Sequence, residues 1–221
     1  MAGFNNSDDS FEDCEDYLQQ EVQLTEPIPR VRRQAYILIV GDSRTGKSML
    51  ARSFTRFPRT AAKRYHNIAI NPENRRHRRR HKNSIGLHFF CAPFRSGDDD
   101  CFRNKRLKQH PYNLIIYLFD VNRRDTFENV FNKWHPEVLD YLGIHRLPPT
   151  ILVGNKIDLR SSSLDQGQLN SEAIWAGEGM MSAIKVEADH YIEVNALAEI
   201  NTRNLLVKIL SMLDIDWKPD F

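Results

Sequence analysis

The stretch Gly41-Asp42-Ser43-Arg44-Thr45-Gly46-Lys47-Ser48 has the residue types and spacing of a loop that closes around an anion, G-x-x-x-x-G-K-S. Its glycines let backbone N–H groups approach an oxyanion, and a helix starting next to it adds the positive end of its dipole. Lys47 offers a point charge to the β- and γ-phosphates of a nucleotide, and the Ser48 hydroxyl can ligate Mg²⁺.

Chemistry for the other end of such a ligand falls to Asn155-Lys156-Ile157-Asp158, N-K-x-D. A carboxylate at Asp158 can accept hydrogen bonds from both the N1–H and N2–H₂ donors of guanine. Adenine offers an acceptor at N1 and nothing at C2. A charged hydrogen bond of this type that goes unmade costs about 1.5–3 kcal/mol, so Asp158 is the residue that would select the base. Taken singly, the first motif could be a glycine-rich turn and the second an ordinary Asn/Asp loop. Together, each directly after an apolar run, they favour a nucleotide site.

Both motifs need rigid supports. Ala35 to Val40 reads as a strand buried on both faces, and Met49 to Phe57 is compatible with a helix. The periodic signal fades between Pro58 and Asn83. Ile85 to Ala92 reads as a strand, followed by an irregular stretch with Pro93, Gly97 and Asp98-Asp99-Asp100. Asn113 to Val121 is a continuous apolar strand, and Asp125-Thr126-Phe127-Glu128 starts a helix toward Tyr141 that Pro136 should kink or interrupt. Thr150 to Val153 is a further short strand. A helix around Ser171 to Ala188, weakened by Gly177 and Gly179, precedes a strand at Tyr191 to Val194. The final amphipathic helix, Asn201 to Leu213, buries Leu205, Leu206, Ile209, Leu210 and Leu213. This alternation calls for an α/β fold, a mostly parallel sheet with helices on both faces and ligands at the carboxyl ends of its strands. Asp120 ends a hydrophobic run as metal-binding carboxylates of many ATPases do, but a structural role is favoured.

The 221 residues suit one α/β domain, residues 35–215, between an acidic tail, 1–34, and a short C-terminal tail, 216–221. A formal charge of +2 hides an uneven distribution, since Met1 to Pro29 carries acids and no Lys or Arg while Arg52 to Lys108 is strongly basic. Mutual repulsion should keep the block Arg75-Arg76-His77-Arg78-Arg79-Arg80-His81-Lys82 out of any packed core; a solvated loop is favoured over a nucleic-acid contact. Cys14, Cys91 and Cys101 form no C-x-x-C pair, which argues for a reducing compartment and against a zinc site. No apolar run approaches the roughly 18 residues of a membrane helix, and no signal peptide, myristoylation or prenylation pattern is present. The expectation is a cytoplasmic, monomeric protein without a stable lipid anchor.

Beyond the two motifs, Thr126-Phe127-Glu128-Asn129-Val130-Phe131-Asn132-Lys133-Trp134-His135-Pro136-Glu137-Val138 resembles the Rho-type F-E-N-V-x-x-K-W-x-P-E-V helix. Ile151 to Arg160 resembles the guanine strand of the same proteins, and Tyr191-Ile192-Glu193-Val194-Asn195-Ala196-Leu197 is similar to their Y-x-E-C-S-A-L. Over roughly residues 35 to 213 the sequence thus looks like an atypical Rho-like member of the Ras superfamily of small GTPases. The resemblance implies a Ras-like P-loop fold, GTP/GDP and Mg²⁺ as ligands, and effector and regulator proteins of Rho signalling as partners. It places phosphates on Gly41 to Ser48, Mg²⁺ on Ser48, and guanine against Asn155, Lys156, Asp158, Asn195 and Ala196. In this reading Asn155 also braces the phosphate loop, Lys156 lies along base and ribose, and the Ala196 N–H meets guanine O6. The long span from Asp158 to Asn195 would suit a Rho-type insert.

The middle of the chain departs from that pattern. No Thr occurs between Thr60 and Thr126 and no Gln between Gln34 and Gln109, so the switch threonine and the catalytic glutamine of the family have no counterpart. The place of D-T-A-G is taken by Phe90-Cys91-Ala92-Pro93, and Ser43 replaces a glycine. Pro93 has no N–H to give a γ-phosphate. A water without its orienting glutamine implies very slow hydrolysis or none, leaving two readings: a persistently GTP-bound signalling protein, or a pseudo-GTPase interaction module that does not cycle nucleotide.

Overall fold

The computed structural model describes residues 33–56, 60–63, 67–70, 85–91, 111–142, 147–160 and 172–215. The acidic tail through residue 32, the basic block Arg75 to Lys82, residues 92–110, residues 161–171 and residues 216–221 lie outside the described residues. In chain order the elements are β1 (Arg33–Val40), α1 (Lys47–Ser53), β2 (Thr60–Lys63), β3 (Asn67–Ile70), β4 (Ile85–Cys91), β5 (Leu114–Asp120), α2 (Arg124–Asn129), α3 (His135–Leu142), β6 (Thr150–Asn155), α4 (Ala176–Ala183), β7 (His190–Val194) and α5 (Thr202–Met212).

Alternation along β1 explains why its run is apolar throughout. Ile37 and Ile39 point into one core, with Leu50, Ala51 and Phe54 from around α1 and Leu205, Leu206, Ile209 and Leu210 of α5. Leu38 and Val40 point into the other, with Phe127, Val130, Trp134 and Val138 and, beyond them, Ala183 and Val186. A strand covered on both sides has no polar face, and every residue of β5 and β6 is likewise buried. Each aliphatic side chain so covered contributes about 1.5–3 kcal/mol relative to exposure.

The strands form one sheet in the order β2-β3-β4-β1-β5-β6-β7. Strands β4, β1, β5, β6 and β7 run parallel, while β2 and β3 pair antiparallel at the β4 edge. The mostly parallel, doubly covered sheet agrees with the alternation in the sequence. The two edge strands fall where the periodic signal fades, because runs of four residues are too short to register a period. With β4 on one side of β1 and β5 on the other, the strand order reverses at β1, and the crevice at its carboxyl end is where ligands bind in such sheets.

Two helices differ from expectation. The helix from residue 125 yields not at Pro136 but just before it, where Val130–Trp134 form a π turn and the His135 N–H donates to the Val130 carbonyl. Pro136 lacks an N–H and its ring presses on the carbonyl four residues back, so the widened turn ahead of it is where the helix gives way. The helix expected over Ser171 to Ala188 is shorter: α4 passes into a 3₁₀ turn, Ile184–Val186, that Glu187 ends in left-handed conformation.

Candidate functional site

Backbone conformation explains the two glycines of the phosphate loop. Gly41 has φ +153°, and a Cβ there would run into the Leu118 carbonyl oxygen of β5. Gly46 has φ +100°, and a Cβ there would strike the Asn155 amide nitrogen. Between them Arg44 adopts φ 64°, so the loop combines left-handed residues with a helix start, the arrangement that gathers N–H groups into an anion nest. Thr45 is fully buried and its hydroxyl donates to the Asp42 carbonyl at 2.9 Å.

Lys47 folds back over this loop. Its Nζ donates to the carbonyls of Gly41 and Asp42, each at 2.8 Å. Burial pulls its pKa below the ordinary 10.5, with the neighbouring Cys91 and Asp42 acting in the opposite direction. A desolvated cation is what an oxyanion in the nest would meet. Ser43 is half-buried and Ser48 exposed. The Asp42 carboxylate accepts from Asn129 and Trp134.

Asn155 joins the phosphate loop to the other motif. Its Nδ2 donates to the Thr45 carbonyl at 2.8 Å and its Oδ1 accepts from the Ala196 N–H at 3.0 Å, with the side chain buried. The bracing role implied for Asn155 is thus present in the geometry. The Ala196 N–H, expected at guanine O6, is directed at Asn155 Oδ1, a bond that a base would have to share or replace. Asn195 shapes this turn by accepting from the N–H groups of Leu197 and Ala198 at 3.0 Å each.

Lys156 holds a left-handed backbone, φ 66°, with its carbonyl accepting from Asn122 Nδ2 at 3.1 Å. Its Nζ makes a 2.7 Å ion pair with the buried Asp120 carboxylate. Asp120 is thus engaged by the N-K-x-D loop, and its other oxygen accepts from the Asn122 N–H at 3.0 Å. Asp158 is exposed at the rim, on a helical turn over residues 157–160. Below it Arg160 makes a bidentate pair with Glu193, at 2.9 and 2.6 Å, and donates to the Ile174 carbonyl at 2.7 Å. That pairing holds Arg160 above the ordinary arginine range and ties the base loop to β7.

Comparison with known proteins places this geometry. The model of the Ras family matches residues 36–214. The chain belongs to the Ras family. It is 28% identical over 173 residues to the Ras-like GTP-binding protein RHO1 of Entamoeba histolytica, covering 78% of this chain and 73% of that one. It is 31% identical over 167 residues to the GTP-binding protein rho3 of Schizosaccharomyces pombe, 72% and 73% of the two chains. Against the human Rho-related GTP-binding protein RhoD the identity is 28% over 181 residues, 77% and 79%. Within the Ras superfamily this chain is Rho-like.

Cys91 ends β4, paired in register with Ile39 of β1, two residues ahead of the phosphate loop. Among the described residues no group of three or more His, Cys, Asp or Glu could hold a metal. The exposed Ser48 hydroxyl is a hard oxygen at the end of the loop, and Mg²⁺ would fit there only as an ion that takes its other ligands from phosphates and water. No helix among the described residues is long and apolar enough to cross a membrane.

The clamp on Asp42 and the Asp120–Lys156 pair were the parts of the site that sequence reasoning missed. Asn129 and Trp134 belong to the Rho-type helix motif, which was a usable signal. What they touch was not legible from it.

Proposed function

We propose that this chain is a Rho-like small GTPase that binds GTP and GDP, hydrolyses GTP very slowly or not at all, and signals through effector and regulator proteins. The observation that carries this reading is Asn155, one buried side chain bonded to the phosphate loop at Thr45 and to the base-side turn at Ala196. It ties the G-x-x-x-x-G-K-S loop to the turn after β7, which supports one ligand lying across both.

In this reading Lys47 and the loop N–H groups hold the β- and γ-phosphates, Asp158 accepts from guanine N1–H and N2–H₂, and Lys156, steadied by Asp120, lies along base and ribose. Ser48 would hold Mg²⁺, which when bound supplies charge neutralisation between the phosphates. Slow hydrolysis follows from the lack of Gln between Gln34 and Gln109, which leaves an attacking water without that orienting partner, and from Ser43, whose side chain crowds the position of a family glycine.

Phe90-Cys91-Ala92-Pro93, standing in the place of D-T-A-G, supports a second reading, a pseudo-GTPase interaction module. Denaturing the purified protein and separating its released nucleotides by chromatography decides between the two. Bound GTP or GDP supports the GTPase reading; a folded protein without nucleotide supports the module. A titration with GDP, GTP, ADP and ATP, with and without Mg²⁺, repeated on Lys47→Ala and Asp158→Ala, tests the site assignment. Equal affinity for adenine and guanine nucleotides would refute the role of Asp158.

A further inference from the structure

Asp42 lies inside the phosphate loop, where a negative charge is out of place. Its carboxylate is only 6% exposed, with Oδ2 accepting from Asn129 Nδ2 at 2.7 Å and Oδ1 from Trp134 Nε1 at 2.8 Å. Its carbonyl meanwhile accepts from Lys47 Nζ at 2.8 Å. The residue therefore faces two ways, carbonyl toward the lysine and carboxylate toward the helix.

Asn129 and Trp134 are five residues apart. In a regular α-helix, at 3.6 residues per turn, such positions lie roughly 140° apart and cannot both reach one carboxylate. The π turn Val130–Trp134, whose bonds run between residues five apart, brings them to the same side. The irregularity of the helix and the two-handed grip on Asp42 are thus one feature. π turns of this kind are frequent at functional sites.

We propose that Asn129 and Trp134 are positioning residues that hold the Asp42 carboxylate away from the anion, so that the loop presents N–H groups and Lys47 but no negative charge to a polyphosphate. This rests on the nucleotide-binding reading above. Two neutral donors, one on each oxygen, keep the carboxylate satisfied without drawing on Lys47, which stays available to the ligand. Without them the carboxylate would be free to rotate toward the phosphates, and like charges a few ångströms apart at an effective dielectric near 20 shift a binding constant by tenfold or more.

The test measures dissociation constants for GMP, GDP and GTP by competition, on wild type, Asn129→Ala/Trp134→Phe, and the same double variant with Asp42→Asn added. The double variant is expected to lose affinity increasingly with phosphate number, about tenfold more for GTP than for GMP. Adding Asp42→Asn, which removes the charge, should return the GTP-to-GMP ratio to within about twofold of wild type. An equal loss for all three nucleotides, or a loss that Asp42→Asn does not repair, overturns the proposal in favour of a purely structural clamp. Asn129→Ala alone, on a half-buried side chain, carries the same comparison if the Trp134 variant does not fold. Wild-type protein that binds no guanine nucleotide overturns the nucleotide reading and this role with it. Wild-type binding with an unaltered ratio in the variants overturns the clamp alone.

Discussion

Replacing Asn155 by alanine should be the most damaging single change that leaves every apolar core residue in place. Its side chain is 2% exposed, so water cannot take over the two bonds it makes to the Thr45 carbonyl and the Ala196 N–H. Each buried partner left unsatisfied costs about 1–3 kcal/mol, which gives roughly 2–6 kcal/mol for the pair. That is a large share of the 5–15 kcal/mol typical of a folded domain. For a chain of this size, at about 2–4 °C per kcal/mol, it corresponds to a fall in Tm of about 4–24 °C. Asn155→Asp separates the two bonds, because it keeps an acceptor for Ala196 but sets an oxygen against the Thr45 carbonyl oxygen. It should be no more stable than the alanine variant despite its matched volume. Thermal unfolding with and without saturating GDP reads both effects. The GDP-induced rise in Tm should shrink in both variants, since the span between the two loops is no longer fixed. A fall in Tm below about 2 °C for Asn155→Ala, or an aspartate variant as stable as wild type, would refute the reasoning.

Asp120→Asn removes the partner charge of Lys156 while keeping an acceptor for the Asn122 N–H, so guanine-nucleotide affinity should fall about three- to tenfold, measured by calorimetry, with phosphate contacts intact. Because burial lowers the Lys47 pKa below 10.5, its charge is lost earlier than that of an ordinary lysine as pH rises, and GDP affinity should decline on the alkaline side before 10.5; a flat profile to that pH counts against Lys47 as a phosphate ligand. His135, whose ring Nδ1 lies 3.3 Å from the Tyr117 hydroxyl, has its pKa lowered below 6.5 by burial. The unfolded chain then takes up that proton first as pH falls through 6.5, so stability declines from there down to the folded pKa. His135→Gln should flatten this limb in denaturant titrations across the same range.

The apolar runs that became β1, β5 and β6, the glycines at positions 41 and 46, and the N-K-x-D loop were legible because each is a local property. A strand buried on both faces needs an unbroken apolar run, and a residue at φ +100° needs a missing Cβ, whatever lies elsewhere in the chain. Edge strands β2 and β3 were not legible, being too short for a period and held by pairing to β4. The basic block and the acidic tail, conspicuous in composition, fall outside the described residues.

What the polar side chains of the site do was decided by the tertiary structure. Asn155 reaches Thr45 across 110 residues of chain, Trp134 reaches Asp42 across 92, and Lys156 reaches Asp120 across 36. Each of these residues could have faced a ligand as readily as a neighbour, and their types alone do not choose. The parallel register, Asp120 opposite Asn155 and Val40 opposite Tyr117, chooses by setting which strand ends stand side by side. The sequence determined that a G-x-x-x-x-G-K-S loop and an N-K-x-D loop would stand at strand ends; the packing of the sheet determined which side chains hold the two together.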